Sequence, residues 1–188
     1  MTYLIVGLGN PGKTYDDTRH NVGFRVIKAL AAKLGITFRP SLVRAKGSLS
    51  EGNIRDKKAY LLLPLTYMNE SGIAVRKCAD YYKIPIERVI VVTDDVALPF
   101  GQLRLRAQGS CGGHNGLRSI EAHLGTQEYS RLRIGVSNRE EGDLADYVLS
   151  KFSQEEQRAL PDVVASAIEA LELWLTEGNE AAMQKTNK

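Results

Sequence analysis

Four side chains in the stretch LIVGLGNPGKTYDDTRHNVGF, residues 4–24, are polar enough for chemistry without being ordinary surface charges: Asn10, Tyr15, His20 and Asn21. His20 lies just past a turn that follows a strand. A histidine there is placed as a general base, because neutral imidazole can take a proton from water near neutral pH. Three more stretches carry polar groups of the same kind: Tyr67-Met68-Asn69, Asp94-Asp95 and Gly112-Gly113-His114-Asn115. None has the spacing of a metal-ligand set, so no metal is expected. The combination of histidines, carboxylates and asparagines suits acid–base work on a water molecule, with side-chain amides orienting an oxygen. Singly, His20 would fit a helix start and Asp94-Asp95 a turn; it is their company that points to hydrolysis.

The elements that must position these groups follow from periodicity. Tyr3 to Val6 is an aliphatic run that reads as a buried strand, and Gly7-Leu8-Gly9-Asn10-Pro11-Gly12 forces a sharp turn after it. The spacing Gly7-x-Gly9-x-x-Gly12 matches a dinucleotide fingerprint. However, Pro11 removes an amide, the helical pattern starts too late, and Ile27 to Lys33 offers no carboxylate for a ribose. Arg25 to Leu34 reads as a helix stopped by Gly35. Arg44 to Ser50 and Lys58 to Leu63 read as a hairpin turning at Glu51-Gly52-Asn53. Glu70 to Tyr82 and His114 to Leu124 read as helices; Arg88 to Thr93, Leu103 to Arg106 and Leu132 to Val136 read as strands. Val164, Ala167, Ile168, Leu171, Trp174 and Leu175 mark an amphipathic C-terminal helix over about 154–177, with 179–188 expected to fray. Strands alternating with helices predict an α/β fold: a single-domain, three-layer α/β sandwich over residues 1–188, with a twisted mixed sheet flanked by helices. In such sheets, sites gather beyond the carboxyl ends of the strands, where the four polar stretches are expected to converge.

Bulk properties narrow the class. The chain has 188 residues, 43% hydrophobic, and its apolar runs are strand-sized, so no membrane span is expected. No basic leader precedes the first strand, and Cys78 and Cys111 make neither a C-x-x-C site nor a disulfide framework; a reducing cytoplasm is expected. Nothing in the pattern asks for a partner subunit, so a monomer is expected. Residues 140–188 hold four Lys/Arg against eleven Asp/Glu, whereas Arg104, Arg106, Arg118, Arg131, Arg133 and Arg139 face only Glu121 and Glu128 in 101–139. Arginines gathered this way suit phosphate, because the guanidinium fork pairs with phosphate oxygens, although a solvated basic face would give the same composition.

GLGNPG, TRHNVGF, TYMN with SG after it, GGHNGL, LRIG and DYVLSKF occur in that order, from about Tyr3 into the C-terminal helix. In this the sequence resembles bacterial peptidyl-tRNA hydrolase, a family of monomeric α/β esterases that free tRNA from stalled peptides. The resemblance implies cleavage of the ester between peptide and ribose without metal or other cofactor, with peptidyl-tRNA as partner. By position it implies His20 as catalytic base, Asp94 as its carboxylate partner, and Asn10 and Asn69 holding substrate, water or ester. It implies that His114, Asn115, Gly112 and Gly113 line the acceptor-end cleft, that Tyr15 and Met68 shape it, and that Arg106 and Arg133 grip tRNA phosphate. Family members often read His-Asp-Glu-Leu-Asp-Leu-Pro where this chain has Thr93-Asp94-Asp95-Val96-Ala97-Leu98-Pro99, so Asp94 is kept and its neighbours differ. Two alternatives stand beside this reading: a cysteine hydrolase using Cys111 with His114 or His20, and an RNA-binding module without catalysis.

Overall fold

In the computed structural model, which describes residues 1–41, 45–138 and 142–188, the chain alternates strand and helix. It runs β1 (Thr2–Gly7), α1 (Val22–Leu34), β2 (Arg39–Pro40), β3 (Gly47–Ile54), β4 (Lys57–Pro64) and α2 (Ser71–Tyr81). There follow β5 (Val89–Pro99), β6 (Leu103–Arg106), α3 (Asn115–Leu124), β7 (Ser130–Ser137), α4 (Leu144–Val148) and α5 (Gln154–Thr186). Single 3-10 turns at Arg19–Asn21 and Met68–Glu70 lead into α1 and α2. The seven strands form one mixed sheet in the order β2-β3-β4-β1-β5-β7-β6. β1 is parallel to β4 and β5, and β5 to β7, whereas β2, β3 and β4 pair antiparallel, as do β6 and β7.

Alternation along the strands builds two apolar layers. Leu4, Val6, Leu62, Val89 and Val91 point to one side, where Val75 of α2 and Leu117 and Ile120 of α3 cover them. Ile5, Leu61, Ile90, Val92, Leu132 and Ile134 point to the other, under Ile27 and Leu30 of α1 and Leu171 and Trp174 of α5. The result is the expected α/β sandwich of three layers. Gly7 and Gly23 are glycines because α1 crosses the end of β1 closely: a Cβ on Gly7 would stand 2.5 Å from Gly23 O. The first glycine of the apparent dinucleotide fingerprint is thus explained by helix–strand packing.

Several boundaries differ from those read in the sequence. The hairpin turns at Arg55-Asp56, which have φ of 48° and 66°, and residues 51–53 continue β3 in register with β4. Arg44, read as the start of that strand, lies outside the described residues, as does Arg139 of the basic group. β5 runs on past Thr93, so Asp94 sits within the strand, paired with Ile134 of β7, not in a loop. This extension requires Gly135, where any Cβ would collide with Pro99 O as the chain bulges between Asp95 and Pro99. The tail expected to fray is helical to Thr186 after a break at Gly178 (φ 83°). Asn179 Oδ1 accepts from Ser130 Oγ (2.7 Å) and Trp174 Nε1 (2.9 Å), anchoring the break. Asn187 then meets the outer edge of β6, accepting from Leu105 N–H (2.7 Å) and donating to Leu105 O (2.9 Å). Among the described residues no helix is long and apolar enough to cross a membrane.

Candidate active site

β1, β4 and β5 point their carboxyl ends the same way, and the loops beyond them meet. After Gly7 the chain folds back so that Leu8 N–H donates to Val92 O (3.0 Å) and Phe24 N–H to Leu8 O (3.1 Å). Asn21, buried to 1% exposure, holds Asn10 by both of its main-chain groups: Asn10 N–H donates to Asn21 Oδ1 (2.8 Å) and Asn21 Nδ2 donates to Asn10 O (2.9 Å). The Asn10 side chain accepts Met68 N–H through Oδ1 (2.8 Å). That bond fixes the amide orientation and leaves the Nδ2 donors to face the cavity that Asn10 lines. Asn21 carries no role in the sequence reading, yet it sets the orientation of this group.

His20 Nδ1 lies 2.8 Å from Asp94 Oδ2, and His114 Nε2 lies 2.8 Å from Asp94 Oδ1, so each carboxylate oxygen faces one imidazole. The two rings are tilted at 45° with centroids 4.9 Å apart. Burial disfavours the Asp94 carboxylate, but the two imidazoles outweigh burial and hold its carboxyl well below the usual carboxylate range. Burial alone would lower His20; the charge of Asp94 and its hydrogen bond overcome this and raise His20 above the ordinary imidazole value. One nitrogen from each ring and one carboxylate oxygen of Asp94 lie within 4.8 Å of one another, which is also the donor set of a metal site. A ligating histidine donates its second N–H outward. His114 has the opposite polarity, because its Nδ1 receives Gly116 N–H (3.1 Å) and Leu117 N–H (3.4 Å). This polarity argues against ligation.

These groups sit in a cavity of about 460 Å³. Asn10, His20, Met68, Asn69, Asp94, Gly112, Gly113, His114 and Asn115 all line it, so the four polar stretches converge, and Arg133, expected at tRNA phosphate, lines it as well. Tyr15 and Arg106 do not: Tyr15 stands in the 12–18 turn, and Arg106 is exposed on the edge strand β6. Tyr67, 62% exposed, lines the cavity too; the sequence places its stretch there, though without a role for this side chain, whereas an apolar wall of Leu144, Val148 and Leu149 at α4 is not foreseen. α4 spans only five residues, too few to show a helical period. It is held by Arg19, the residue before His20, which donates from its backbone to Ser150 O (3.0 Å). The Arg19 guanidinium lies 4.5 Å from the Tyr147 ring and pairs with Glu156 of α5 at 2.6 Å.

The opposite wall is the glycine loop 109–113, with left-handed φ at Gly112 (57°) and Gly113 (81°). Arg131, buried to 0% exposure, donates to the carbonyls of Gly109, Ser110, Gln127 and Tyr129. Arg133 donates to Ser110 O (2.7 Å) and lies 3.5 Å from Asp95 Oδ2. Arg104 and Arg106 pair in register with Arg133 and Arg131, so all four arginines share one face of β6 and β7. Cys111 lines the cavity, but each histidine there has Asp94 as its partner, and among the described residues no imidazole bonds the thiol. His123 faces away, its Nδ1 donating to Ser119 O (2.8 Å) within α3.

Residues 4–188 match the family model described as Peptidyl-tRNA hydrolase. The chain is 50% identical over 187 residues to a peptidyl-tRNA hydrolase of Chloroflexus aggregans, covering 98% of each chain. It is 48% identical to one from Lachnospira eligens, over 98% of this chain and 99% of that one. The crystal structure of peptidyl-tRNA hydrolase from Acinetobacter baumannii superposes with a TM-score of 0.92 at 37% identity, covering 99% of this chain and 94% of that one.

Proposed function

The chain belongs to the peptidyl-tRNA hydrolase family, and from this we propose that it hydrolyses the ester between an N-blocked peptide and the 3′-terminal ribose of tRNA, with His20 as general base. The observation that carries the mechanism is the 2.8 Å contact of His20 Nδ1 with Asp94 Oδ2 in the cavity wall. Asp94 holds the proton on Nδ1, which leaves Nε2 to take one from water as the water attacks the ester carbonyl. The carboxylate then stabilises the imidazolium, and the imidazolium returns the proton to the departing ribose oxygen. The Nδ2 donors of Asn10 face the oxygen on which charge develops, an interaction worth about 3 kcal/mol per donor in other hydrolases. Asn69 and Asn115, exposed at the rim, meet the acceptor end, and Met68 shapes the floor. Gly112 and Gly113 let backbone approach that end closely, and Tyr15 meets it from the turn outside the cavity. Exposed Arg106 and partly exposed Arg133 take tRNA phosphates. The reading includes a single-domain monomer acting in the cytoplasm, which sedimentation and fractionation test.

Release of N-acetyl amino acid from N-acetyl-aminoacyl-tRNA tests the mechanism. Wild type cleaves it, and His20→Ala loses at least about 10²-fold in kcat with tRNA still bound. Cleavage retained by His20→Ala would keep the esterase and remove His20 as the base. Full loss in Cys111→Ser, with His20→Ala active, would move the chemistry to the thiol. Binding of tRNA with no cleavage by wild type would leave an RNA-binding module.

A further inference from the structure

The two histidines on Asp94 are held in unlike ways. His20 gives Nδ1 to Asp94, and among the described residues no hydrogen bond uses its Nε2. His114 has both nitrogens occupied. It is the N-cap residue of α3, a helix of ten residues, and its Nδ1 accepts the N–H groups of Gly116 and Leu117. A ring nitrogen that accepts two hydrogen bonds carries a lone pair, so the proton of the neutral ring is on Nε2. Nε2 lies 2.8 Å from Asp94 Oδ1 and 2.8 Å from Thr93 Oγ1, and its N–H is shared between these two oxygens.

Either change of protonation would break a hydrogen bond that the ring now makes. A second proton on Nδ1 would point at two backbone N–H groups at the positive end of α3 and break the cap. Loss of the Nε2 proton would set an anion against the ionised Asp94. The charged and titratable groups that line the cavity with this ring are His20 from the turn, Tyr67 before α2, Asp94 and Asp95 from β5, Arg133 from β7 and Cys111 on its own loop. Of these, Asp94 bonds to it and the His20 ring lies beside it, tilted at 45° with a centroid distance of 4.9 Å.

We propose that His114 is a fixed-proton positioning residue: it caps α3, gives Asp94 Oδ1 its donor so that Oδ2 stays aimed at His20, and transfers no proton during turnover. The assignment deepens the reading of His20 as base and rests on it for the catalytic part only. Thr93 joins the same arrangement, since its oxygen accepts from His114 while its hydroxyl is 3.4 Å from Asp94 Oδ1.

Two measurements on the full chain test it. The first is two-bond 1H–15N correlation of the histidine rings from about pH 5 to about pH 9, where an ordinary imidazole changes charge. His114 should keep the Nε2–H pattern throughout while His20 titrates; a His114 signal that titrates in that window overturns the proposal. The second uses His114→Asn, a side chain that still caps a helix but withdraws the imidazole donor from Asp94. It should stay folded with a modestly lowered Tm, keep the single acid limb of kcat/KM against pH, and lower kcat about 10- to 100-fold with little change in KM. A wild-type ionisation that disappears in His114→Asn would make His114 a proton carrier and overturn the proposal. A flat wild-type profile with an unchanging His114 spectrum would remove His20 as the base and still support the fixed proton.

Discussion

Asp94 bonds two imidazoles, so its replacement acts on both charge and geometry. Under the proposed mechanism kcat/KM falls as pH drops through the raised midpoint of His20, because only the neutral ring can accept a proton. Asp94→Asn removes the carboxylate that raises His20 but leaves its burial. The midpoint should fall below the ordinary value of about 6.5, moving the acid limb to lower pH. The plateau should drop on the order of 10²- to 10⁴-fold as control of the tautomer is lost. A pH–rate series on both proteins reads the two effects; an unmoved midpoint would detach Asp94 from the base. At this scale residue type said much in advance, since His20, Asp94, Asn10 and Asn69 stand out as polar groups in loop-like stretches. What could not be read was direction. Nothing in the order of residues says that Asn21 saturates the backbone of Asn10, or that Nδ1 of His114 is spent on a helix end.

Secondary structure carries these groups with different degrees of support. The glycine loop depends on Arg131, whose fork serves four carbonyls and whose nearest carboxylate, Glu121, is 3.7 Å away. Arg131→Lys keeps the charge but cannot span the same acceptors, leaving buried carbonyls unsatisfied at about 1–3 kcal/mol each. We expect a lower Tm in calorimetry and a KM for the acceptor end raised more than kcat is lowered; an unchanged Tm would show the loop to hold itself. Sequence periodicity gave the long elements and missed the features that depend on tertiary contact. β5 outruns its aliphatic segment because Gly135 makes room for it, and the hairpin turn falls on Arg55-Asp56 because register with β4 continues through Ile54. α4 has no period to read and is held in place by Arg19.

At the edge of the molecule formed by β6 and β7, charged and apolar side chains are divided between the two faces of the sheet. Arg-Leu alternation in LRLR and RLRI puts four arginines on one side of β6 and β7 and aliphatic residues on the other, beneath α5. This pattern was visible in the sequence, but the inward commitment of two of the four was not. Arg131 is wholly buried and Arg133 is partly engaged with Ser110 O and Asp95, which leaves Arg106 freer for a phosphate. Arg106→Ala should therefore raise KM and reduce the slope of log KM against log salt by about 1, more than Arg133→Ala does. A slope unchanged in Arg106→Ala would place the tRNA on another face.

The Arg19–Glu156 pair also has a consequence for biosynthesis. Its members are separated by 137 positions, so the turn that carries His20 leaves the ribosome long before the carboxylate that anchors it. Throughout that interval the growing chain is itself a peptidyl-tRNA, the substrate class of the finished molecule. The turn that carries His20 can meet Asp94 once β5 is made, but it gains the Arg19–Glu156 anchor only when α5 docks.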